Sequence, residues 1–577
     1  TMQYAEAIHA NRTLYHHFPT SAEIGVLYVD CSSSSSSGTN VTYTPVFAQS
    51  GFRYLGVVVT AMETAMFDIM FTPTAAMFTA RWVSTSFERA GTFSCGHAGL
   101  NTINEMVLRS ARSNWQSIPT DCPTRERAGW LGDAHIAAET VLRNFDAGSA
   151  YRLFLQQIGE SENDAGDPSD VVPFLGGHGG GGSPTWAAAL PLIASYVERY
   201  YDDEYLAMEL WPSLRRFVEF GRSFTKNGGC YSATDWGDWC PPGPSANTSV
   251  QCAGGNSHVS CWHYFAGVST AARWAARVGN ASDAKDYAAL AMTVAEDYMK
   301  GYKSGTYGKP VQTLNGLALD LGLHNAVETA ALVNVTANDV TDLHNGHLST
   351  GIIGTKHVLS GLSLNGRADV ALAMATTTSY PGWGYMASEG ATSLWENWEG
   401  TRFLPGGTAK QSGSSWNHIM FGSNGAWHFE HVAGVRLPRV SPANNAPTPL
   451  LNGWKRVIVS PSLLLSPRGA EVCDEVPWAS AQMTTRRGML SSMWHCASSG
   501  GMNLTLTVPT GSTALLRLPV PAFGTTVSEV KGGGEFKVWS SGSFVPGCAG
   551  VMAGKMSVNG DAVELEVESG AYAFVVE

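Results

Sequence analysis

The sequence predicts a multidomain α and β protein in which a helical toroid lies between two β-rich ends. Three observations predict it. Short apolar runs broken by a Ser-rich loop open the chain, a helical rhythm holds from about residue 97 to 435, and period-two alternation returns from about residue 450. At ~150 residues per domain, the 577 residues leave room for about two to four domains.

Each part has its own signature. In the first, Tyr54-Leu-Gly-Val-Val-Val-Thr60 reads as a strand and Ser32 to Ser37 as a surface loop. In the second, residues 282–299 show Tyr287, Leu290, Ala291, Val294 and Tyr298 at helical spacing, with Ser282 placed to cap the start. Similar segments fall near 99–113, 134–145, 148–160, 185–201, 203–224, 262–279, 311–322, 326–334, 355–363, 367–376 and 417–433. That makes about twelve helices, enough for a toroid of about six helix pairs. In the third, Leu504-Thr-Leu-Thr-Val508 and Val563-Glu-Leu-Glu-Val-Glu568 alternate cleanly, and Asn559-Gly560 is a hairpin turn signal, which fits a β-sandwich.

Composition removes several function classes. Hydrophobic residues are 44% and charged residues 15%, which excludes a mostly disordered chain. The net charge of −12 argues against a nucleic-acid partner. The best apolar stretch, Tyr54 to Met62, is closed by Glu63, well short of the ~18 residues of a membrane span. Of ten cysteines, Cys230, Cys240, Cys252 and Cys261 crowd one segment, and Cys473 and Cys496 form a candidate later pair. No CxxC pair supports zinc, so disulfides in a secreted protein are the better reading. Sequons at Asn11, Asn40, Asn247, Asn280, Asn334 and Asn503 favour the same compartment and possible N-glycans. The chain starts at Thr1 without initiator Met or signal peptide, as expected of a mature or trimmed chain.

Two segments carry chemistry. Ser117 to Asp133 holds Asp121, Glu126 and Asp133 on a Pro- and Gly-containing loop beside Trp130. A carboxyl against an apolar ring is desolvated and stays protonated near neutral pH, which suits general acid catalysis. Asp133 could also serve as a helix N-cap, and Glu126 could pair with Arg125 or Arg127. In Thr392 to Gly400, Glu396 and Glu399 alternate with Trp395 and Trp398, giving carboxylates for sugar hydroxyls and ring faces for sugar C–H faces, unless the Trp are core. Asp235-Trp-Gly-Asp-Trp239 repeats the mixture, Trp186 follows a glycine run at 176–182 that reads as a loop at a pocket mouth, and His418 lies in Trp416 to Gly422. No nucleophile elbow, HExxH motif, phosphate loop or nucleotide-cofactor fingerprint is present, so neither a cofactor nor a metal is expected.

Asp121-Cys-Pro-Thr-Arg-Glu-Arg-Ala-Gly-Trp-Leu-Gly-Asp133 closely resembles the signature of the α-L-rhamnosidases of glycoside hydrolase family 78. Arg112 to Thr120, Asp170 to Phe174, Gly182 to Trp186, Leu394 to Trp398 and Asn417 to Gly422 are similar to the family's motifs, in its order. The resemblance implies an (α/α)6 barrel catalytic domain at 93–435, flanked by an N-terminal β-sandwich domain at 1–92 and a C-terminal β-sandwich domain at 436–577. It implies inverting hydrolysis of terminal α-L-rhamnosides in a rhamnose-containing glycoside or polysaccharide. Glu126 would be the general acid and Glu396 the general base, with carboxyl groups about 6.5–9.5 Å apart to admit a water. Asp121 and Asp133 would hold rhamnose hydroxyls, and Trp130, Trp186 and one or both of Trp236 and Trp239 would form an aromatic wall. His418 would sit beside the base. Many members have Arg-Asp-Glu-Arg where this chain has Arg125-Glu126-Arg127. The cysteines at 230–261 lie outside the motifs and would staple an insertion near the pocket rim. The alternatives are a catalytically inactive extracellular carbohydrate-binding or structural glycoprotein on this scaffold, and another enzyme of the same barrel, such as a polysaccharide lyase.

Overall fold

The structure is a computed structural model. It describes residues 74–175, 181–203, 205–225, 229–230, 235–243, 256–305, 307–309, 311–400, 414–439, 453–497, 501–520, 529–533 and 536–576, and before these only residues 2–5, 7–8, 14–15, 24–25, 44 and 49–57. The Ser32–Ser37 loop, most of the glycine run, and Asn11, Asn40, Asn247 and Cys252 lie outside the described residues. The fold is a mixed one, a helical body with sheets at its C-terminal side.

The helical body follows the expected segments closely. Helices span Ala98–Ser113, Leu131–Asn144, Gly148–Glu160, Ala189–Tyr201, Leu206–Ser223, Asn256–Arg277, Ala281–Gly305, Gln312–Leu321, Ala326–Asn338, Ile352–Leu364 and Ala368–Thr376. In Ala281–Gly305 the five apolar residues at helical spacing are all buried. Its start is capped by Asn280, whose Oδ1 accepts the Asp283 N–H at 3.0 Å, rather than by Ser282. The expected 417–433 helix is instead one α turn, Asn424–Trp427, running into a π turn, His428–Val432. Pro184–Ala187 breaks off from the helix after it, and Trp383–Ser388 and Gly469–Glu475 were not foreseen.

Leu131–Asn144 is the central element: all fourteen of its residues are buried. Such a helix tolerates charge only where each charge finds a partner. Glu139 meets Lys356 at 3.1 Å and Arg199 at 3.4 Å, and Arg143 pairs with Glu430. The first turn of this helix therefore points its polar groups into the interior from a rigid support.

Two sheets close the C-terminal side. One orders Val551–Met556, Ala562–Val567, Thr513–Pro519, Arg456–Val459 and Val435–Arg436. The Asn559-Gly560 turn does join its first two strands, with Met556 opposite Val563 and Gly560 at φ +70°. The other has eight strands and ends on Gly91–Cys95, which pairs with Trp478–Thr485. That strand spans residue 92, so the chain lends a strand to the C-terminal sheet before entering the helices. Near the start, Met2–Ala5 pairs with Ile24–Gly25 and Tyr54–Val57. Disulfides join Cys230 to Cys261 and Cys473 to Cys496. Cys240, grouped with the first cluster by position, is buried.

Candidate active site

The signature segment folds into a turn at Pro123–Glu126 and delivers Trp130 as the N-cap of Leu131–Asn144. Its glycines have steric reasons. A Cβ at Gly129 would lie 1.9 Å from the Val172 carbonyl oxygen, at a point where the Val172 N–H donates to Gly129 O at 2.9 Å and joins the two segments, and a Cβ at Gly132 would lie 2.3 Å from Cε2 of Trp186. Asp133 occupies the first turn rather than the cap, where a carboxylate also meets the positive end of the helix dipole.

Glu126 and Glu396 enter one connected constellation. Trp130 Nε1 donates to Glu126 Oε2 at 2.7 Å. Asp133 Oδ1 lies 2.9 Å from His418 Nε2, and His418 Nδ1 lies 3.9 Å from Glu396 Oε2. Glu396 Oε2 accepts the Ser415 N–H at 2.5 Å, and Arg125 donates to the carbonyl of the neighbouring Ser414. The backbone of Leu394–Glu396 is pinned to the same strip, because Glu396 N–H donates to Ser415 O at 2.9 Å and His418 N–H to Leu394 O at 2.8 Å.

Burial sorts the carboxyl groups. Asp121 is 2% exposed, and burial, reinforced by the nearby Asp133 and Glu126 charges, pushes its pKa up to about 7 despite His418. Burial also raises Glu396, partly offset by His418 and the Ser415 N–H. Burial alone would lower His418; Asp133, with Glu396 and Asp121, overrides it and holds His418 up at about 10. Glu126 stays exposed. The expectation of a desolvated acid on this loop is thus met by Asp121 and not by Glu126, which accepts the Trp130 indole N–H and yet stays exposed.

The four tryptophans named from sequence come together. Trp236 sits at the centre, 5.7 Å from Trp130, 6.1 Å from Trp186 and 5.5 Å from Trp239 between ring centroids, edge-on to Trp130 and Trp239. Trp236 Nε1 donates to Asp170 Oδ2 at 2.9 Å, and burial raises Asp170 to about 6 against that hydrogen bond. Trp395 and Trp398 are core instead: Trp398 is fully buried and donates to Thr350 O at 3.0 Å.

Other acids of the aromatic motifs are structural. Asp235 accepts the hydroxyls of Ser183, Thr185 and Ser260. Asp238 accepts the N–H groups of Gly351, Ile353 and Gly354 at 2.8–2.9 Å and the Thr313 hydroxyl, capping the start of Ile352–Leu364. Glu399 accepts the Gly243 N–H at 2.8 Å and the Tyr380 hydroxyl. Sequence reasoning missed Asp170, Arg125 and Ser415 as site residues. Asp170 opens a quoted motif and could have been found; the other two act through backbone contacts that leave no compositional trace.

Carboxyl groups beside a tryptophan cluster on a helical body have the chemistry of a glycosidase site. The profile described as the bacterial alpha-L-rhamnosidase 6 hairpin glycosidase domain matches residues 88–432, and that of the bacterial alpha-L-rhamnosidase C-terminal domain matches residues 440–533. The chain belongs to the bacterial α-L-rhamnosidase family, as the signature resemblance implied. An alpha-L-rhamnosidase of Streptomyces avermitilis is 28% identical over 83% of this chain and 42% of its own length. One from Formosa agariphila is 25% identical over 90% of this chain and 52% of its own. The structure of alpha-L-rhamnosidase from Dictyoglumus thermophilum superposes with a TM-score of 0.80 at 27% identity, covering 100% of this chain and 59% of that one. The chain thus spans about half the length of the curated relatives it matches.

Proposed function

We propose that this chain hydrolyses terminal α-L-rhamnosides with inversion, releasing L-rhamnose from a glycoside or polysaccharide. The observation that supports the reading is that one helix start meets both carboxyl groups: Trp130 Nε1 donates to Glu126 at 2.7 Å, and Asp133, three residues on, lies 2.9 Å from His418, whose other ring nitrogen lies 3.9 Å from Glu396. Glu126 protonates the glycosidic oxygen as the bond to the sugar breaks; a bound glycoside covers its exposed side and dries it for that task. Glu396 takes a proton from water on the opposite ring face. The His418 cation beside it stabilises the carboxylate form that a base must have. Asp121 and Asp133 bind ring hydroxyls, and Trp130, Trp186, Trp236 and Trp239 receive the apolar methyl and C–H faces.

The finer architecture belongs to the same proposal. The helices pair into an (α/α)6 toroid between β-sandwich domains, with boundaries near 92 and 435. An extracellular site of action is supported by the two disulfides. Of the described sequon residues, Asn334 is exposed on a helix, while Asn280 caps one and Asn503 holds His495 Nε2 at 3.3 Å, so Asn334 is the most open to a glycan.

The test is release of L-rhamnose from α-L-rhamnosyl disaccharides and flavonoid rhamnosides by wild type, Glu126→Gln and Glu396→Gln. Turnover by wild type and a loss of about 10²-fold or more in each folded variant are expected. Near-wild-type turnover in a variant removes that residue from the mechanism. Rhamnose binding without turnover by wild type identifies a silent binding protein, and unsaturated products identify a lyase.

A further inference from the structure

Asp121, Cys122 and His418 form a buried group whose ligand atoms all lie within 4.8 Å of one another. A carboxylate oxygen, a sulfur and an imidazole nitrogen form a donor set typical of a three-ligand zinc site with an open fourth position. The second shell around these donors is also built. Asp121 Oδ1 accepts the Ala128 N–H at 2.8 Å, which fixes the carboxyl, and the Cys122 thiol is hydrogen-bonded to the same carboxyl. His418 Nε2 is committed to Asp133 at 2.9 Å, while its buried Nδ1 has no hydrogen-bond partner. A carboxylate–histidine pair with the second ring nitrogen open is how metal-binding histidines are oriented. Cys122 Sγ accepts the Glu126 N–H at 3.4 Å, while burial and the adjoining Asp121 carboxylate push the thiol well up, so a cation must displace its proton.

We propose that Asp121, Cys122 and His418 bind one thiophilic divalent cation of the Zn2+ or Cd2+ class. Binding forms a bond from each of Sγ, one Asp121 oxygen and His418 Nδ1 to the metal, replacing the hydrogen bond between the Cys122 thiol and Asp121. The thiol proton and the His418 Nδ1 proton leave to solvent, as does the Asp121 proton where that carboxyl is still protonated; no electron changes hands. The cation is an inhibitor and not a cofactor, a consequence that rests on the proposed function, since Asp121 and His418 are the groups assigned to substrate there.

The test uses Cd2+ alone, added to the full chain and followed by the ultraviolet thiolate-to-cadmium charge-transfer band, a signal independent of catalysis. One equivalent is expected to develop the band in wild type and in Cys95→Ser, Cys240→Ser and Cys548→Ser, and Cys122→Ser is expected to lose it. A missing band in wild type, or one that survives Cys122→Ser, overturns the proposal. Should Cys122→Ser fail to fold, His418→Gln keeps the thiol. Its cadmium affinity is expected to fall about 10-fold or more, and an unchanged affinity overturns the proposal.

Discussion

His418 Nε2 lies 2.9 Å from Asp133 Oδ1, both groups being buried, and this pair sets the charge of the whole site. Asp133 is the largest influence raising His418, against burial that lowers it. Through His418 the first turn of the buried helix Leu131–Asn144 stabilises the charged form of Glu396. Asp133→Asn removes that influence and leaves only Glu396 and Asp121 to oppose burial. The His418 ring, followed by proton NMR, should then titrate far below about 10. A His418 that still titrates near 10 in Asp133→Asn contradicts the account.

The same shift sets a pH limit on stability. The folded pKa of His418, about 10, exceeds the unfolded one, about 6.5. Its contribution is therefore complete below about 6.5 and lost as pH rises through about 10. Asp121 acts in the same direction at lower pH: raised to about 7, its contribution is present below about 3.9 and lost as pH rises through about 7. Asp121→Asn keeps an acceptor for the Ala128 N–H but cannot ionise. Thermal unfolding should show wild type losing stability relative to Asp121→Asn between about pH 5 and about pH 8. A difference constant over that window contradicts the burial argument.

Glu126 and Glu396 are separable by leaving group. Glu126→Gln removes the proton donor, so substrates with acidic aryl leaving groups should lose far less kcat/KM than natural glycosides. Glu396→Gln should lose about 10²-fold or more on both, because the attacking water needs its base whatever leaves. Equal losses for Glu126→Gln on the two substrate types contradict its role as acid.

Asp238 holds the loop that carries Trp236 and Trp239. Its carboxylate satisfies three backbone N–H groups and the Thr313 hydroxyl. Asp238→Ala leaves these buried donors unpaired and should cost more than about 3 kcal/mol in denaturant unfolding. A loss within about 0.5 kcal/mol, the range of ordinary surface changes, contradicts this role.

Much of this was legible in the sequence because local periodicity and local motifs carry it. Gly148–Glu160 coincides with its expected segment, and Met502–Val508 alternates buried and less buried residues as its sequence does. The tryptophan cluster and the approach of His418 to Glu396 followed from family resemblance and could not follow from local spacing, since Trp130 and Trp236 are distant in sequence and His418 lies more than twenty residues beyond Glu396. What was missed is long-range or made by backbone. Gly91–Cys95 straddles the expected boundary at residue 92, yet its partner is Trp478–Thr485 of the C-terminal sheet. Glu396 and Glu399 look alike beside their tryptophans, and only tertiary contacts assign Glu399 to Gly243 and Tyr380. The exposure of Glu126 was misjudged because a ring nearby in sequence need not cover a carboxyl in space.

The most direct test of the central claim, acid and base acting across a water, is proton NMR recorded from the first turnovers of an α-L-rhamnoside. The account predicts β-L-rhamnose as the first sugar released, with the α anomer appearing only through later mutarotation. α-L-Rhamnose as the first product would contradict it, because retention requires a carboxylate that attacks the sugar directly.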